Sequence, residues 1–559
     1  MKKFNHLLIL TLVAGITLYS CEGMEDTLVD DRLADNPVPT APTATGTQGN
    51  ADFTKFVSIG NSLTAGFMDG ALYNQGQQYS VGAIIAGQLQ VAVESDGDTF
   101  DSFDQPDINS ANGFNTSAQS PGGVPVLGRF KLDLDRQIPS PTITGETIGA
   151  FSGQTSDLNN FGVPGIQVGQ LLTPGTGTPG DPAFNGFYAR MASSPGTSTI
   201  IGDIIASAPT FFSLWIGSND VLGYALTGGA NEAIFTSAAD FDTRFNASVD
   251  ALLSAPSAPN GVIANIPPIL TIPFFRAISY DRIVLDQATA DQVNQGLAAV
   301  NGAIQGCVNV GVAQSDIDRR LVSYSAGNNP ILAIDEELDD LGACFDALLG
   351  ASQISATQRA QLAPYEQSRP LVAGELVLLS AGSVLGTEAD GDNSAADTPI
   401  GVVVPLGFSL ANGSLTGDQY YLTLAEQGAI QARTVAFNTT IATKVGTVNA
   451  TSSSPRLALF DTNAGLPGNP NTTLGVFADL LGLDGELGIE VEGTLLDPDF
   501  APNGVYSTDG VHPNIRGNAI MANEFIKAIE STFGSTIPKV SVIPLPGISA
   551  CAGDCVSQQ

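Results

Sequence analysis

The sequence predicts an α/β fold, a three-layer α/β/α sandwich whose central sheet is mainly parallel. Two observations predict this fold. Short apolar runs end at turns rich in glycine, asparagine and proline, and segments with helical periodicity separate these runs. Strands that alternate with helices pair in parallel and are covered on both faces. The 559 residues allow two or three average domains, but one large α/β domain with insertions fits equally well.

Four apolar runs are strand candidates, because each is short and ends where the chain turns. They are residues 55–59, 210–216, 261–266 and 456–460. Helical periodicity is clearest in five segments, which are residues 80–93, 241–253, 291–304, 424–444 and 515–531. We therefore expect one folded domain over residues 51–540, followed by a C-terminal tail over residues 541–559.

The alternation of strand and helix patterns breaks down between about residues 280 and 417. Segments 375–379 and 401–406 have strand character and are joined by the acidic loop 388–397, which predicts a hairpin. We interpret this region as an inserted subdomain of mixed β and loop structure. Residues 95–155 are rich in glycine, serine and aspartate, and we expect them to form a long surface excursion near the site.

The N-terminus has the pattern of an export signal. Lys2 and Lys3 precede an apolar run, residues 7–18, that is too short to span a bilayer, which is typical of a signal peptide over residues 1–20. The run ends in Leu-Tyr-Ser-Cys, which resembles the lipobox of bacterial lipoproteins. That resemblance implies cleavage before Cys21, a lipid on Cys21, and attachment to the cell envelope at the outer membrane. The alternative is an ordinary secretory signal with Cys21 as a spare thiol.

Residues 21–50 are polar and rich in proline, as expected of a flexible tether. Beyond them no apolar stretch is long enough for a transmembrane helix, so the predicted contact with the membrane is the lipid. The formal net charge of −35 would repel nucleic acid phosphates, which excludes nucleic acid as a partner. The acidic turns 96–98 and 390–393 are interpreted as exposed polar turns, and no metal site is predicted.

Four cysteines remain after Cys21, and an even number in an oxidising compartment favours disulfides over metal ligation. Our preferred pairing joins Cys307 to Cys344 and Cys551 to Cys555. The sequence leaves the pairing open, since four cysteines allow three connectivities.

One histidine, His512, serves the mature protein, because His6 lies in the signal peptide. This count excludes a zinc site built from several histidines and any mechanism that needs two. His512 lies in the sequence DGVHPN, residues 509–514, just before a predicted helix. Asp509 can accept a hydrogen bond from the imidazole, which fixes its tautomer and stabilises the imidazolium. His512 is therefore the candidate general base.

The strand candidate at residues 55–59 leads into Gly-Asn-Ser-Leu, residues 60–63. A tight turn there would expose the hydroxyl of Ser62 at the carboxyl edge of the sheet, where open α/β sheets bind ligands. A serine hydroxyl becomes a nucleophile when a base removes its proton, and His512 is the candidate for that base.

Four blocks in this order resemble the SGNH, or GDSL-like, hydrolase family: GNSL at 60–63, NFGVPG at 160–165, GSND at 217–220 and DGVH at 509–512. The resemblance implies a flavodoxin-like SGNH hydrolase fold. The implied catalytic residues are Ser62 as nucleophile, His512 as base and Asp509 as acid. The implied oxyanion donors are the backbone N–H groups of Ser62 and Gly165 and the side-chain amide of Asn219.

The chain departs from the family pattern at Asn61, where the commonest residue is aspartate, and in the wide gap between residues 220 and 509. The resemblance therefore covers the core elements but not the insertion. It implies a serine hydrolase that needs no cofactor and acts on an ester, which could be a lipid, an acylated glycan or a small ester. An acyltransferase on the same site and a non-catalytic binding lipoprotein remain alternatives. An α/β-hydrolase is excluded because the chain has no Gly-x-Ser-x-Gly elbow.

Overall fold

The structure is a computed structural model that describes residues 44–115, 126–136, 138–389, 398–409, 414–415, 419–463 and 488–556. The predicted signal peptide, the lipidation site Cys21 and the tether up to residue 43 lie outside the described residues, as does most of the acidic loop 388–397. The elements below belong to one compact unit that begins at Gly46.

Five strands form an all-parallel central sheet, so the predicted α/β class with a parallel sheet is confirmed. In chain order the strands are β1 (Phe56–Gly60), β2 (Asn160–Gly162), β3 (Phe211–Trp215), β4 (Asn260–Ala264) and β5 (Leu457–Phe460). They lie side by side in the order β5-β4-β3-β1-β2, and all neighbours pair in parallel. The order reverses direction at β1, which places a crevice at the carboxyl ends of β1 and β3.

Helices pack on both faces of the sheet because side chains alternate along each strand. Phe56 of β1 lies in one apolar cluster with residues of helices Val81–Ser95 and Ile515–Phe533. Val57 and Ile59 lie in a second cluster, which includes residues of helices Ala238–Leu253 and Leu424–Thr451. The remaining α-helices are Ser62–Ala65, Asn74–Gln78, Gly186–Ala189, Ile200–Ala206, Asn219–Leu226, Gln287–Gly306, Gln314–Arg320, Gly342–Gly350 and Ala356–Leu362.

All four predicted strands and all five predicted helices are present; most ends differ by one to four residues, and the helix predicted over 424–444 extends to Thr451. Strand β2 was not predicted as a strand, because three residues with a polar start carry no measurable periodicity. Across the described ranges, no helix combines the length and the apolar character needed to cross a membrane.

The predicted hairpin between residues 375–379 and 401–406 is wrong. Strand Leu376–Val377 pairs instead with Tyr421–Leu422, and residues 379–383 form a short 3-10 helix. Segment 401–406 lies beside Leu332–Ile334. The physical reason lies in contacts between distant segments: Val377, Leu406 and Tyr421 are all buried in one apolar cluster, in which Val377 pairs with Tyr421 and Leu406 bonds to Leu332.

Small two-stranded sheets and separate apolar clusters occupy much of the region between β4 and helix Leu424–Thr451. The antiparallel pairs outside the central sheet are Phe130–Asp133 with Ile138–Pro141, Ile283–Leu285 with Gly327–Asn329, Leu332–Ile334 with Ser368–Pro370, Leu376–Val377 with Tyr421–Leu422, Phe408–Ser409 with Ser414–Leu415, and Ile489–Val491 with Thr494–Leu496.

The preferred disulfide pairing is confirmed: Cys307 bonds to Cys344, and Cys551 bonds to Cys555. The second disulfide closes a short loop within the described part of the tail. That loop runs along the hairpin Phe130–Pro141, where Cys551 N–H donates to the carbonyl of Leu132 at 2.9 Å. The C-terminal segment is therefore tied to the surface excursion.

Candidate active site

Ser62 begins a four-residue helix directly after β1. The side chain of Asn61 caps that helix by accepting a hydrogen bond from the Leu63 N–H at 3.0 Å. Gly60 is required at the end of the strand, because a Cβ there would lie 2.4 Å from the carbonyl oxygen of Trp215. The turn is thus tight enough to present Ser62 at the carboxyl end of the sheet.

The loop that carries His512 folds around the Asp509 carboxylate. The backbone N–H groups of Val511 and His512 donate to Asp509 Oδ1 at 2.8 and 2.9 Å. Gly510 permits this tight turn, since its φ of 71° lies in the left-handed region that favours glycine. Helix Ile515–Phe533 follows at once and fixes the end of the loop.

Ser62, His512 and Asp509 form one hydrogen-bonded chain. His512 Nε2 lies 2.9 Å from Ser62 Oγ, and His512 Nδ1 lies 2.8 Å from Asp509 Oδ2. Because an ionised carboxylate only accepts hydrogen bonds, Nδ1 carries the proton in the neutral imidazole, and Nε2 is free to accept the proton of Ser62. The structure therefore places these three predicted residues in the geometry that activates a serine.

The Asp509 carboxylate is held as an anion by five hydrogen bonds. Ser507 Oγ, Val511 N–H and His512 N–H donate to Oδ1, while His512 Nδ1 and Gly70 N–H are the partners of Oδ2. Burial acts to raise the pKa of Asp509, but the charge of His512 and these hydrogen bonds outweigh burial and lower the pKa to about 2. Asp509 can therefore stabilise an imidazolium at any pH near neutrality.

A second buried carboxylate, Asp69, holds the same loop from the other side. Asp69 Oδ1 accepts from the Thr508 N–H at 3.0 Å and from the Thr508 hydroxyl at 2.8 Å. Asp69 Oδ2 accepts from the Tyr73 hydroxyl at 2.7 Å and lies 3.5 Å from Arg129 Nη1. The Asp69 N–H in turn donates to Ser507 Oγ at 3.0 Å. Asp69 thus helps to position the loop that carries Asp509 and His512.

We expect Asp69→Asn to lower kcat by about tenfold or more while changing KM little, because a small displacement of Asp509 misorients His512. Asparagine tolerates the left-handed backbone of position 69, where φ is 57°, so the variant should fold. Steady-state kinetics would measure the effect. Tyr73→Phe, which removes one hydrogen bond to Asp69, is the milder comparison. A kcat equal to wild type in Asp69→Asn would refute this positioning role.

The two other predicted oxyanion donors are Asn219 and Gly165. They are placed differently relative to the cavity that Ser62 lines. Asn219 lies at the carboxyl side of β3, lines the same cavity as Ser62, and donates one amide N–H to the Ile166 carbonyl at 2.9 Å. Its amide has a second N–H for a ligand. Gly165 is exposed, has a φ of 77°, and is not among the residues that line the cavity. The structure links Gly165 to the site through its neighbour Ile166, and its donor role stays a prediction.

Asp220 fixes the segment after β2 against the helix that carries Asn219. Its carboxylate accepts from the Val168 N–H at 3.0 Å and from the Thr236 hydroxyl at 2.8 Å. Burial raises the pKa of Asp220 to about 6, although both hydrogen bonds act to lower it. The folded protein therefore retains this proton to a higher pH than an unfolded aspartate, whose ordinary pKa is 3.8.

This difference predicts a pH dependence of stability. The folded state binds the proton of Asp220 more tightly than the unfolded state does. Protonation of Asp220 therefore adds to the free energy of unfolding below about pH 4, and this contribution is lost as the pH rises through about 6. We expect the free energy of unfolding of wild type, relative to Asp220→Asn, to fall by about 2–3 kcal/mol over that window. Denaturant unfolding at several pH values would measure it. Parallel pH profiles for the two proteins would contradict the prediction.

The cavity beside Ser62 lies between the carboxyl ends of β3 and β4, the loop that carries His512, and helix Ile515–Phe533. Its volume is about 60 Å³. Ser62, Asn219 and His512 line it together with apolar side chains, which include Trp215 and Met521. Within the described residues, no group of three or more His, Cys, Asp or Glu side chains is placed to hold a metal ion.

No protein-family model, curated protein or solved structure matches this chain. The chemistry of the site is therefore inferred from its own geometry.

Sequence reasoning did not identify Asp69, Gly70 or Ser507 as part of the site. The signal at residues 69–70 is an Asp-Gly pair, which is common at turns and carries no information about a distant partner. Ser507 lies two residues before Asp509, inside the block already singled out, but its hydroxyl contact is a property of the folded loop.

Proposed function

We propose that the protein is a serine ester hydrolase that works through an acyl-enzyme on Ser62. The observation that carries the proposal is the continuous hydrogen-bonded chain from Ser62 through His512 to Asp509, which opens onto a cavity at the carboxyl edge of the sheet. A structural role explains such a chain poorly, because hydrogen bonding alone does not require that a serine, a histidine and a buried carboxylate be aligned at a cavity.

In the first half of the reaction, His512 Nε2 takes the proton of Ser62 as Oγ bonds to the ester carbonyl carbon. The negative charge develops on the carbonyl oxygen, for which the N–H of Ser62 and the amide of Asn219 are the proposed donors, with Gly165 as a third. His512 then gives its proton to the departing alkoxide, and the bond between carbonyl carbon and alcohol oxygen breaks. The alcohol leaves and the acyl group remains on Ser62.

In the second half, His512 takes a proton from water while the water oxygen bonds to the acyl carbon. The bond to Ser62 Oγ breaks, Ser62 recovers its proton from His512, and the carboxylic acid is released. Asp509 remains an anion throughout and stabilises the imidazolium in both halves. No cofactor takes part in these steps.

We also propose that the fold is the flavodoxin-like fold of SGNH hydrolases. Numbered along the chain, the sheet order is 2-1-3-4-5, which is the flavodoxin-like doubly wound order. GNSL begins at the last residue of β1, NFGVPG contains β2 and the turn after it, GSND follows the end of β3, and DGVH precedes the last long helix. This arrangement supports the carry-over of roles from the family to these positions.

The proposed location is the bacterial cell envelope, with the exported chain anchored to the outer membrane by lipid on Cys21. Support comes from the lipobox-like sequence before Cys21 and from two disulfides, which form in oxidising compartments. The proposed partners are the membrane, through that lipid, and an ester substrate.

The experiment that tests the function is covalent labelling of the full-length protein with a small alkyl fluorophosphonate, read by peptide mass spectrometry. We expect one adduct, on Ser62, and a labelling rate that falls by orders of magnitude in His512→Ala. Thr64→Ser, which adds a second serine hydroxyl to the same helix, is the matched control and should gain no adduct at position 64. An unlabelled Ser62 would refute the proposal.

A further inference from the structure

The cavity beside Ser62 is lined by uncharged side chains. His512 lines it, but no Asp, Glu, Lys or Arg side chain does so within the part of the chain that the structure describes. Its most buried apolar walls are Trp215, Val505 and Met521, each 2% exposed. Because an unpaired charge is strongly disfavoured in such surroundings, the cavity suits an uncharged, apolar part of a ligand.

The volume of the cavity limits the size of that part. The volume of about 60 Å³ is several times the roughly 10–15 Å³ that one water needs, which is space for a short group of a few non-hydrogen atoms. A long fatty chain would need several times this volume. The surrounding side chains are packed into two apolar cores, and enlarging the cavity would require them to move.

The chemistry decides which part of an ester occupies this space. The acyl group stays bonded to Ser62 Oγ through both halves of the reaction, whereas the alcohol must leave and water must reach the carbonyl carbon. A buried apolar space beside Ser62 therefore fits the group that stays. The alcohol must lie toward solvent, where neither its size nor its polarity is limited by the cavity.

We propose that the cavity is an acyl-binding pocket and that the substrates are esters of short carboxylic acids, with about two to four carbons. The larger part of each substrate is then its alcohol, which lies outside the pocket. This inference rests on the proposed hydrolase function of Ser62. Trp215, Val505 and Met521 form the wall that sets the length of the acyl group.

Two ester series test whether the pocket limits the length of the acyl part or of the alcohol part of the substrate. The first series is para-nitrophenyl acetate, butanoate, octanoate and dodecanoate, and we expect kcat/KM to fall by about tenfold or more from butanoate to octanoate. The second series is methyl, butyl and octyl acetate, for which we expect similar values. A preference for dodecanoate, or a dependence on alcohol length alone, would overturn the proposal.

Met521→Ala tests the wall directly. Removing this side chain extends the pocket, so we expect the ratio of kcat/KM for octanoate to that for acetate to rise by about tenfold. Met191→Ala is the matched control, because Met191 is 3% exposed but does not line the cavity. Ile269→Trp, which fills the pocket, should reduce turnover of butanoate more than that of acetate. Unchanged ratios in both pocket variants would overturn the assignment of the wall.

Covalent labelling separates failure of this inference from failure of the hydrolase proposal. We expect ethyl fluorophosphonate to label Ser62 of the full-length protein faster than dodecyl fluorophosphonate does. In Met521→Ala, we expect a smaller difference between these two labelling rates. Equal labelling by both reagents would overturn the acyl-length inference and leave the hydrolase proposal standing. Labelling by neither reagent would overturn both.

Discussion

We expect Ser62→Ala to lower the turnover of short esters by on the order of a thousandfold or more, because the variant lacks the hydroxyl that His512 is proposed to activate. The rate would be measured as release of free acid, which also distinguishes hydrolysis from transfer to a second alcohol. The substitution should leave the free energy of unfolding nearly unchanged, since His512 is the one hydrogen-bond partner of the Ser62 hydroxyl among the described residues.

Ser535→Ala is the matched control for this loss. Ser535 is 7% exposed, close to the 8% of Ser62, and its buried Oγ makes no hydrogen bond within the described residues. It lies just beyond helix Ile515–Phe533, at the far end from His512. We expect wild-type turnover in Ser535→Ala. Hydrolysis by Ser62→Ala at the wild-type rate would refute the assignment of the nucleophile.

Asp509→Asn should lower kcat by about three to four orders of magnitude. An asparagine amide can donate to His512 Nδ1, which favours the tautomer with its proton on Nε2, and that nitrogen then no longer accepts the proton of Ser62. The variant also lacks the anion that stabilises the imidazolium. Steady-state assays would measure kcat. The rate at which a fluorophosphonate labels Ser62 would measure the loss of nucleophile activation separately from product release.

Asp203→Asn serves as the matched control for Asp509→Asn. Asp203 is also buried, and its carboxylate accepts hydrogen bonds from Tyr188 and Ser193, but among the described residues it forms no hydrogen bond to Ser62, His512 or Asp509. We expect Asp203→Asn to lower stability and leave kcat near wild type at a temperature where it is folded. Similar losses of kcat in both variants would show that the effect of Asp509→Asn is a general effect of disturbing a buried carboxylate.

The strands and helices of the core could be predicted because burial imposes a regular pattern on them. β1, β3, β4 and β5 are buried over most of their length and therefore read as short apolar runs. The helix Ile515–Phe533 buries one face, which gives it a clear helical periodicity. Ser62, His512 and Asp509 could be singled out because the sequence has two histidines, because Asp509 lies three residues before His512, and because four ordered blocks resemble a hydrolase family.

The remaining features depend on contacts between distant segments, which no local pattern encodes. Val377 pairs with Tyr421, 44 residues further along the chain, and both are buried in a shared cluster. The contact of Asp69 with Thr508 spans 439 residues and uses side chains that are common in turns. The size of the cavity follows from how Trp215 and Met521 pack, so the acyl length could not be read from the sequence.

The separation of Ser62 and His512 by 450 residues has a consequence for biosynthesis. A nascent chain holds its nucleophile early but lacks a base until nearly the whole polypeptide has been made and helix Ile515–Phe533 has docked. Under the proposed mechanism, hydrolysis therefore begins only after the C-terminal part of the fold has formed, and a product truncated before residue 509 should be inactive.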